Sequence, residues 1–337
     1  MSVVAAEETT KVNYLTALRN VLHEEMERFP DMVCIGEDIG ILGGAFGVTE
    51  GMRDKFGPDR VLDTPISESA IVGMAIGLAM TGRIVMAEMQ FIDFISCGFD
   101  QIVNNAATMC YRTNGEVPLP IVIRGPSGGY GGGGPYHSQQ NEAWFAHSPG
   151  LKVVIPSTPS DAAGLLRASL RDPNPVIFYE VKELYRKREI EEPIPPGEWI
   201  VPLGKAAIRR EGTDLTLISY GNPLYLCLQA AELLQEREGI NAEVIDLRTL
   251  VPLDKETILN SVKKTNRVVV VNEAPKTCGF AAEVVAIINE HVFEYLDAPV
   301  LRVTRADTPV PWVQPLELAV LPSVDKIYDT CIKVAKF

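Results

Sequence analysis

The sequence predicts an α/β fold with two domains, each built on a mostly parallel sheet that is covered by helices. Short runs of apolar residues alternate along the chain with longer segments of helical spacing. The short runs are apolar at consecutive positions, so both faces of these strands are expected to be buried, as in a parallel sheet. A length of 337 residues fits two domains with separate cores.

The alternation begins with a helix and continues through the first half of the chain. Apolar residues from Tyr14 to Phe29 recur at steps of three and four, which predicts a helix over 11–29. Thr158 followed by Pro159 marks the start of a later helix. Strands are expected at 32–35, 61–64, 83–88, 119–124, 151–155 and 175–181, and further helices at 70–80, 91–112 and 158–171.

A charged and then proline-rich stretch, 182–199, interrupts this rhythm and is interpreted as an interdomain linker. The alternation resumes after it. Strands are expected at 215–219, 242–246, 267–272 and 300–303, and helices at 224–238, 255–265, 281–296 and 324–336. The predicted division is a first domain over 11–190, a linker over 191–200 and a second domain over 201–337.

The segment 61–80 combines a short strand with a helix that is apolar on every side. Pro65 ends the strand because it has no N–H to donate and holds Thr64 in an extended conformation. No charge lies between Glu68 and Arg83, so the helix is expected to be buried all round. It is too short to span a membrane, which takes ~20 residues. Its glycines and alanines leave room for a helix of another subunit.

Glu68 lies where this strand passes into the helix, and two interpretations of it stay open. A carboxylate in the first helical turn interacts favourably with the helix dipole, by ~0.3–1 kcal/mol. Alternatively, burial raises the pKa of the carboxyl group and prepares it for proton transfer.

Charge and cysteine usage exclude several classes of protein. A formal net charge of −13 argues against binding of nucleic acid, and no membrane segment is expected. The six cysteines form no C-x-x-C pair and are expected to be buried free thiols in a reducing compartment. Residues 1–10 resemble neither a secretory signal nor a transit peptide. The expected location is the cytoplasm, or the plastid stroma if a transit peptide has been removed.

A loop with six glycines, residues 128–134, satisfies the dinucleotide pattern G-x-G-x-x-G. Pro135 follows where a helix should open, so a nicotinamide site is not expected. Two interpretations of the loop stay open: a mobile backbone around a reaction centre, or a flexible loop without a function. His137, at the end of this loop, is a candidate for function or for structure, whereas His147 is expected to be packed. Neither histidine has the spacing of a zinc ligand.

Several short motifs, in this order along the chain, resemble the β subunits of the thiamine-diphosphate-dependent 2-oxoacid dehydrogenases. The similarity runs from about Asn13 to about Lys333 and is greatest to pyruvate dehydrogenase of the cyanobacterial and plastid type. It implies a thiamine-pyrimidine domain followed by a transketolase-type C-terminal domain. The motifs are Gly36-Glu37-Asp38, Asp63-Thr64-Pro65-Ile66-Ser67-Glu68, Arg124-Gly125-Pro126, His137-Ser138-Gln139, Pro149-Gly150-Leu151-Lys152-Val153-Val154 and Asp297-Ala298-Pro299.

The resemblance implies roles for particular residues. Glu68 would hydrogen-bond the pyrimidine ring nitrogen of thiamine diphosphate, and Phe94, otherwise a core residue, would stack on its aminopyrimidine. His137 would approach the substrate or a lipoyl group. A structural potassium ion would be held by oxygen ligands. Those ligands would come from Ile121, Ser169, Leu170, Asp172 and Asn174.

The sequence contains no Gly-Asp-Gly, the motif with which enzymes of this superfamily hold Mg²⁺ and the diphosphate. The chain is therefore expected to recognise only the pyrimidine half of the cofactor and to share the site with an α subunit in an α2β2 heterotetramer. The implied reaction is oxidative decarboxylation of pyruvate with acetyl transfer to the lipoyl group of a dihydrolipoyl acetyltransferase core, which feeds acetyl-CoA synthesis after glycolysis.

Three alternatives to the pyruvate reaction stay open. A branched-chain 2-oxoacid or acetoin could be the substrate on the same fold. A non-catalytic docking subunit is an alternative of another class, although a scaffold needs neither Glu68 nor Phe94.

Overall fold

The computed structural model of the protein describes residues 11–337, which form two large sheets flanked by helices and one small sheet of two strands. The expectation about targeting falls on residues 1–10 and lies outside the described part. No helix within residues 11–337 has both the length and the apolar character that a membrane crossing requires.

The first half of the chain contains eight strands and six α-helices. The strands are β1 Lys11–Val12, β2 Val33–Gly36, β3 Val61–Asp63, β4 Val85–Glu88, β5 Ile121–Ser127, β6 Lys152–Val154, β7 Val176–Val181 and β8 Glu192–Pro193. The helices are α1 Tyr14–Arg28, α2 Met52–Phe56, α3 Glu68–Met80, α4 Ala107–Arg112, α5 Glu142–Ala146 and α6 Pro159–Leu170.

The second half contains six strands and five α-helices. The strands are β9 Ala207–Arg210, β10 Leu215–Ser219, β11 Ala242–Asp246, β12 Thr249–Val251, β13 Val268–Pro275 and β14 Leu301–Arg305. The helices are α7 Pro223–Glu238, α8 Lys255–Thr265, α9 Phe280–Val292, α10 Gln314–Val320 and α11 Val324–Ala335.

The predicted mostly parallel α/β fold is confirmed. The larger sheet has the order β12-β6-β7-β5-β4-β2-β3, and only its edge strand β12 runs antiparallel. The smaller sheet has the order β14-β13-β10-β11-β9, again with one antiparallel edge strand, β9. The strands are buried on both faces, as expected for parallel sheets that helices cover.

The two halves are joined by more than a linker. Strand β8 lies inside the predicted linker and pairs with β1 at the start of the chain. Strand β12, from the second half, pairs with β6 of the first sheet. Strand pairing therefore connects the first predicted domain with both the predicted linker and the second predicted domain. The predicted domain boundaries stay predictions.

The predicted helix over 91–112 is wrong as a single regular element. The chain forms a 3₁₀ helix over Ile92–Gly98, a π-helix over Gln101–Ala106 and then α4. Gly98 packs against the backbone of Glu68, where an added Cβ would lie 3.3 Å from the carbonyl oxygen. Irregular turns of this kind follow packing demands that apolar spacing does not reveal, and π-turns occur often at functional sites.

The prediction that the helix after Glu68 is buried all round is wrong for the isolated chain. Helix α3 buries Ile71, Val72 and Ala75, but Met74 and Met80 are 50% and 51% exposed. The helix covers the sheet with one face and presents an apolar face on the other side.

The expected burial of the cysteines and of His147 is wrong in part. Cys97 and Cys278 are exposed, although Cys34, Cys227 and Cys331 are buried as expected. His147 is exposed rather than packed. Short elements such as α2, α5, α10, β9 and β12 were not predicted, because periodicity needs a longer run to be visible.

Candidate active site

The site lies along one edge of the larger sheet, where the parallel strands end. The carboxyl ends of parallel strands meet at the same edge, and ligands of open α/β sheets bind there. Residues that follow β2, β3, β4, β5 and β7 are therefore brought together. They are Glu37, Glu68, Phe94, His137 and Lys182.

Glu68 is the first residue of α3, and its side chain is largely buried, with 9% exposed. Its neighbour Ser67 makes no side-chain cap to the helix. Among residues 11–337 no hydrogen bond is donated to the Glu68 carboxylate. A carboxylate in this position keeps its acceptors free for a ligand.

Glu37, which follows β2, faces the same space as Glu68. It is 5% exposed, and its Oε1 atom has no hydrogen-bond partner. Burial raises the pKa of Glu37, and the charge of Glu68 raises it further. The sequence indicated Glu37 only as part of a family motif. Its proximity to Glu68 depends on the parallel pairing of β2 with β3.

Phe94 and His137 lie side by side at this edge of the sheet. Their ring centroids are 5.5 Å apart, and the planes are nearly perpendicular at 89°. Phe91 also packs edge-on against His137, with centroids 4.5 Å apart. Both Phe94 and His137 are partly exposed, so the two rings line the space beside the sheet edge.

A buried carboxylate and a partly buried lysine hold the backbone around His137. The Asp93 carboxylate accepts hydrogen bonds from the backbone N–H groups of Ser138, at 3.1 Å, and Gln139, at 3.0 Å. Lys182 donates to the carbonyl oxygen of His137 at 2.6 Å. Burial raises the pKa of Asp93 and lowers the pKa of Lys182. The backbone at His137 is thus held by residues from the segments that follow two other strands, β4 and β7.

The glycine loop 128–134 is anchored to the second half of the chain. Glu273 accepts a hydrogen bond from the N–H of Gly129, and Glu317 accepts one from Gly132 at 2.9 Å. The hydroxyl of Tyr130 donates to the carbonyl of Pro322 at 3.0 Å. A 3₁₀ turn of three residues, Gly134–Tyr136, follows where a dinucleotide site would need a helix.

A buried ion cluster lies beneath this edge of the sheet. Arg124 on β5 pairs with Glu88 on β4 and Glu180 on β7. The Tyr185 hydroxyl also donates to Glu180, at 2.5 Å. All three charged side chains are at most 3% exposed, and breaking such a buried pair by removing one partner typically costs about 3–5 kcal/mol.

The residues expected to hold potassium lie at the opposite end of the same sheet. Ile121 begins β5, and Ser169 and Leu170 end α6. The Asp172 carboxylate pairs with Lys152 and accepts a hydrogen bond from the backbone N–H of Asn174 at 2.9 Å. In the described part of the chain no cluster of three or more histidine, cysteine or acidic side chains is arranged to hold a metal. The potassium site, whose ligands include carbonyls, stays a prediction.

Comparison with known proteins matches both halves of the chain to described families. Residues 10–188 match the family described as "Transketolase, pyrimidine binding domain", and residues 204–327 match "Transketolase, C-terminal domain". A solved structure described as "Split gene transketolase, inactive beta4 tetramer" is similar in fold. Its TM-score is 0.76 at 22% identity, over 97% of this chain and 99% of that chain.

Relatives of higher identity share nearly the whole length. The chain is 50% identical to "2-oxoisovalerate dehydrogenase subunit beta, mitochondrial" of Dictyostelium discoideum, over 91% of this chain and 83% of the relative. It is 46% identical to "2-oxoisovalerate dehydrogenase subunit beta" of Bacillus subtilis, over 97% and 99%. It is 44% identical to "Pyruvate dehydrogenase E1 component subunit beta-2, mitochondrial" of Oryza sativa subsp. japonica, over 92% and 83%.

Proposed function

The chain belongs to the β subunits of the 2-oxoacid dehydrogenases, thiamine-diphosphate enzymes with the transketolase fold, and we propose that it acts on a branched-chain 2-oxoacid such as 2-oxoisovalerate. β subunits of this family work with an α subunit and an acyltransferase core. In the proposed reaction the 2-oxoacid loses CO₂ by oxidative decarboxylation. The remaining acyl group passes to a lipoyl group of that core, whose disulfide accepts the two electrons and becomes one thioester and one thiol.

One observation carries the catalytic part of this proposal. The free carboxylate of Glu68 and the edge-to-face pair of Phe94 and His137 lie at the same edge of one sheet. This set fits the pyrimidine half of thiamine diphosphate, because a carboxylate can accept a hydrogen bond from a ring N–H and a partly exposed phenyl ring can stack on a flat heterocycle.

Each residue has a role that follows from its place. When bound, thiamine diphosphate supplies the nucleophilic carbon and takes up the electrons of decarboxylation. Glu68 would hold a proton at the pyrimidine ring nitrogen. Phe94 would orient the pyrimidine ring. His137, held by Asp93 and Lys182, would donate or accept a proton at the substrate or at the lipoyl group.

The diphosphate half of the cofactor belongs to the α subunit in this proposal. The sequence has no Gly-Asp-Gly motif, and the formal charge of −13 does not favour a diphosphate site within this chain alone. The α subunit would hold Mg²⁺ together with the diphosphate. The assembly would be an α2β2 heterotetramer, with K⁺ at the Asp172 turn.

The names of the relatives support the choice of substrate. The relatives at 50% and 46% identity are named for 2-oxoisovalerate, and the relative at 44% for pyruvate. Pyruvate, with acetyl-CoA as the end product, is therefore the second candidate. The cyanobacterial and plastid type stays a prediction. So does the cytoplasmic location, since the relatives from Dictyostelium and rice are named as mitochondrial.

A substrate series tests this proposal. The chain is produced together with its α subunit, and kcat/KM is measured for 2-oxoisovalerate, pyruvate and acetoin with thiamine diphosphate and Mg²⁺. We expect 2-oxoisovalerate to exceed pyruvate by about 10-fold or more, since a pocket discriminates by roughly 10–200-fold per methylene group. A higher kcat/KM for pyruvate would make pyruvate the first candidate substrate and 2-oxoisovalerate the second. Cofactor binding without turnover of any of the three substrates would instead support the alternative of a non-catalytic docking subunit.

A further inference from the structure

Arg305, the last residue of β14, is a buried cation that forms no ion pair within residues 11–337. It is 5% exposed, its Nε has no hydrogen-bond partner, and no ion pair reaches it from residues 11–337. The other buried arginines of the described chain are each paired with two glutamates: Arg124 with Glu88 and Glu180, and Arg167 with Glu24 and Glu25. A buried charge that lacks a partner is costly and marks a position that a ligand can complete.

Arg305 lines two adjoining clefts between the halves of the molecule. The larger has a volume of about 790 Å³ and the other about 710 Å³. Both are lined by Arg305, Gln139, Pro275 and Thr277. The clefts are therefore continuous with the segment that carries His137.

The N-terminus of α9 opens into the same space. Thr277, Cys278 and Gly279 line the larger cleft, and α9 begins at Phe280. Gly279 is the N-cap residue and offers no side chain to the first helical N–H groups. A helix of 13 residues carries about half a positive charge at such an end, and its free N–H groups bind anions.

The acidic side chains around Arg305 disfavour a ligand with more than one negative charge. Glu273, Glu142 and Asp93 lie near enough to interact with Arg305, and Asp307 faces it from the following loop. Asp307 is occupied by hydrogen bonds from Thr277. Burial lowers the pKa of Arg305 and raises those of Glu273 and Glu142. These carboxyls would repel a dianion such as phosphate more than a monoanion.

The remaining walls are apolar. Phe99 and Trp144, 39% and 43% exposed, stand on one side of the larger cleft, with Ala143 and Ala274 beside them. A ligand that offers a carboxylate to Arg305 would place its hydrocarbon part against these side chains.

We propose that this cleft binds a small organic monocarboxylate, with its carboxylate between Arg305 and the N-terminus of α9 and its apolar part against Phe99 and Trp144. The site uses residues other than Glu68 and Phe94. The proposal does not rest on the proposed substrate, because binding is measured with an acid that cannot be decarboxylated.

The test uses the assembled complex of this chain with its α subunit and isovalerate as the probe, because isovalerate lacks the 2-oxo group. Binding is followed by calorimetry and by tryptophan fluorescence, to which Trp144 contributes. We expect saturable binding to the wild type and binding roughly 10–100-fold weaker in Arg305→Gln, the usual range for loss of a charged hydrogen-bond donor. Arg237→Gln, an exposed arginine on α7, is the matched control and should bind like the wild type.

Thermal unfolding provides a second measurement of binding, which stays informative if the substitution changes the stability of the fold. Isovalerate should raise the melting temperature of the wild type and not that of Arg305→Gln. The shift that isovalerate causes is measured for each protein against its own melting temperature without ligand, so that a change in stability caused by the substitution does not affect the comparison. Equal isovalerate affinity in both proteins, no binding to the wild type, or tighter binding of inorganic phosphate than of isovalerate would each overturn the proposal.

Discussion

At the scale of single residues, the candidate site consists of ionisable side chains that share limited space and little water. Glu37 and Glu68 illustrate this, since the charge of Glu68 adds to burial in raising the pKa of Glu37. The Glu37 carboxyl therefore holds its proton over a wider pH range than a carboxyl in water. Proton transfer near neutral pH benefits from such groups.

Glu68→Gln tests the catalytic interpretation of this residue. The amide has nearly the same shape and cannot exchange a proton, so we expect the fold to persist and kcat of the assembled enzyme to fall by roughly 10²–10⁴. Glu256→Gln is the matched control, because Glu256 lies in the first turn of α8 and has only the dipole interaction to lose. A Glu68→Gln enzyme as active as the control, and saturated with cofactor, would return Glu68 to the dipole role.

Glu273 predicts a pH dependence of stability. Burial is the largest cause that raises the pKa of Glu273, from 4.5 to about 7. The folded state thus favours the protonated form, so this contribution to stability is full below pH 4.5 and is lost as the pH rises to about 7. Glu273→Gln keeps an acceptor for the Gly129 N–H without the charge. It should be more stable than the wild type at pH 8, by up to about 3 kcal/mol, and nearly equal at pH 4.5.

Chemical denaturation at a series of pH values measures this difference. Glu283→Gln, an exposed glutamate on α9, should show the pH dependence of the wild type. A constant difference between Glu273→Gln and the wild type from pH 4.5 to 8 would contradict the assignment.

At the scale of elements, the turn between α6 and β7 is where potassium is predicted. If K⁺ binds there, exchange of K⁺ for Na⁺ should lower the melting temperature, because a ligand of the folded state stabilises by about 2.7 kcal/mol at 100 times its Kd. Asp172→Ala should abolish this ion dependence. Lys152→Met should preserve it, since that change removes only the ion pair with Asp172. Identical melting temperatures of the wild type in both salts would show that the turn binds no potassium ion.

The exposed face of α3 predicts a subunit contact. A Cβ added at Gly77 meets no atom within 4 Å in this chain, so the isolated chain should tolerate a large side chain there. Gly77→Trp should leave the melting temperature of the chain nearly unchanged and prevent its association with a partner subunit. Gln235→Trp on the exposed side of α7 is the control. Unaltered assembly of Gly77→Trp, measured by analytical ultracentrifugation, would exclude this face from the interface.

At the scale of the whole molecule, the chain has the features of half an active site. Glu68 and Phe94 fit the pyrimidine ring, while the sequence lacks the motif that binds the diphosphate. We therefore expect the isolated chain to bind thiamine diphosphate negligibly and to decarboxylate no 2-oxoacid. Calorimetric titration with Mg²⁺ present measures the affinity, and addition of the α subunit should restore both properties. Tight, stoichiometric binding without α would refute the shared site.

The sequence by itself determined the order and type of most elements. Strands β10 and β11 and helix α8 begin and end at the predicted residues, because apolar spacing and end signals act within a few positions of one another. Glu68 and His137 lie in short motifs of the same local kind, whereas Phe94 is a candidate only through the family resemblance.

Only the tertiary structure decided which distant residues meet. The contact of Phe94 with His137, the proximity of Glu37 to Glu68 and the lack of a partner for Arg305 each depend on segments far apart in sequence. The irregular helical turns of 92–106 and the exposed face of α3 have the same origin. Local spacing specifies which side chains are apolar. Packing between the strands and the two halves of the chain decides which of them are covered, and which charges are left for a ligand to neutralise.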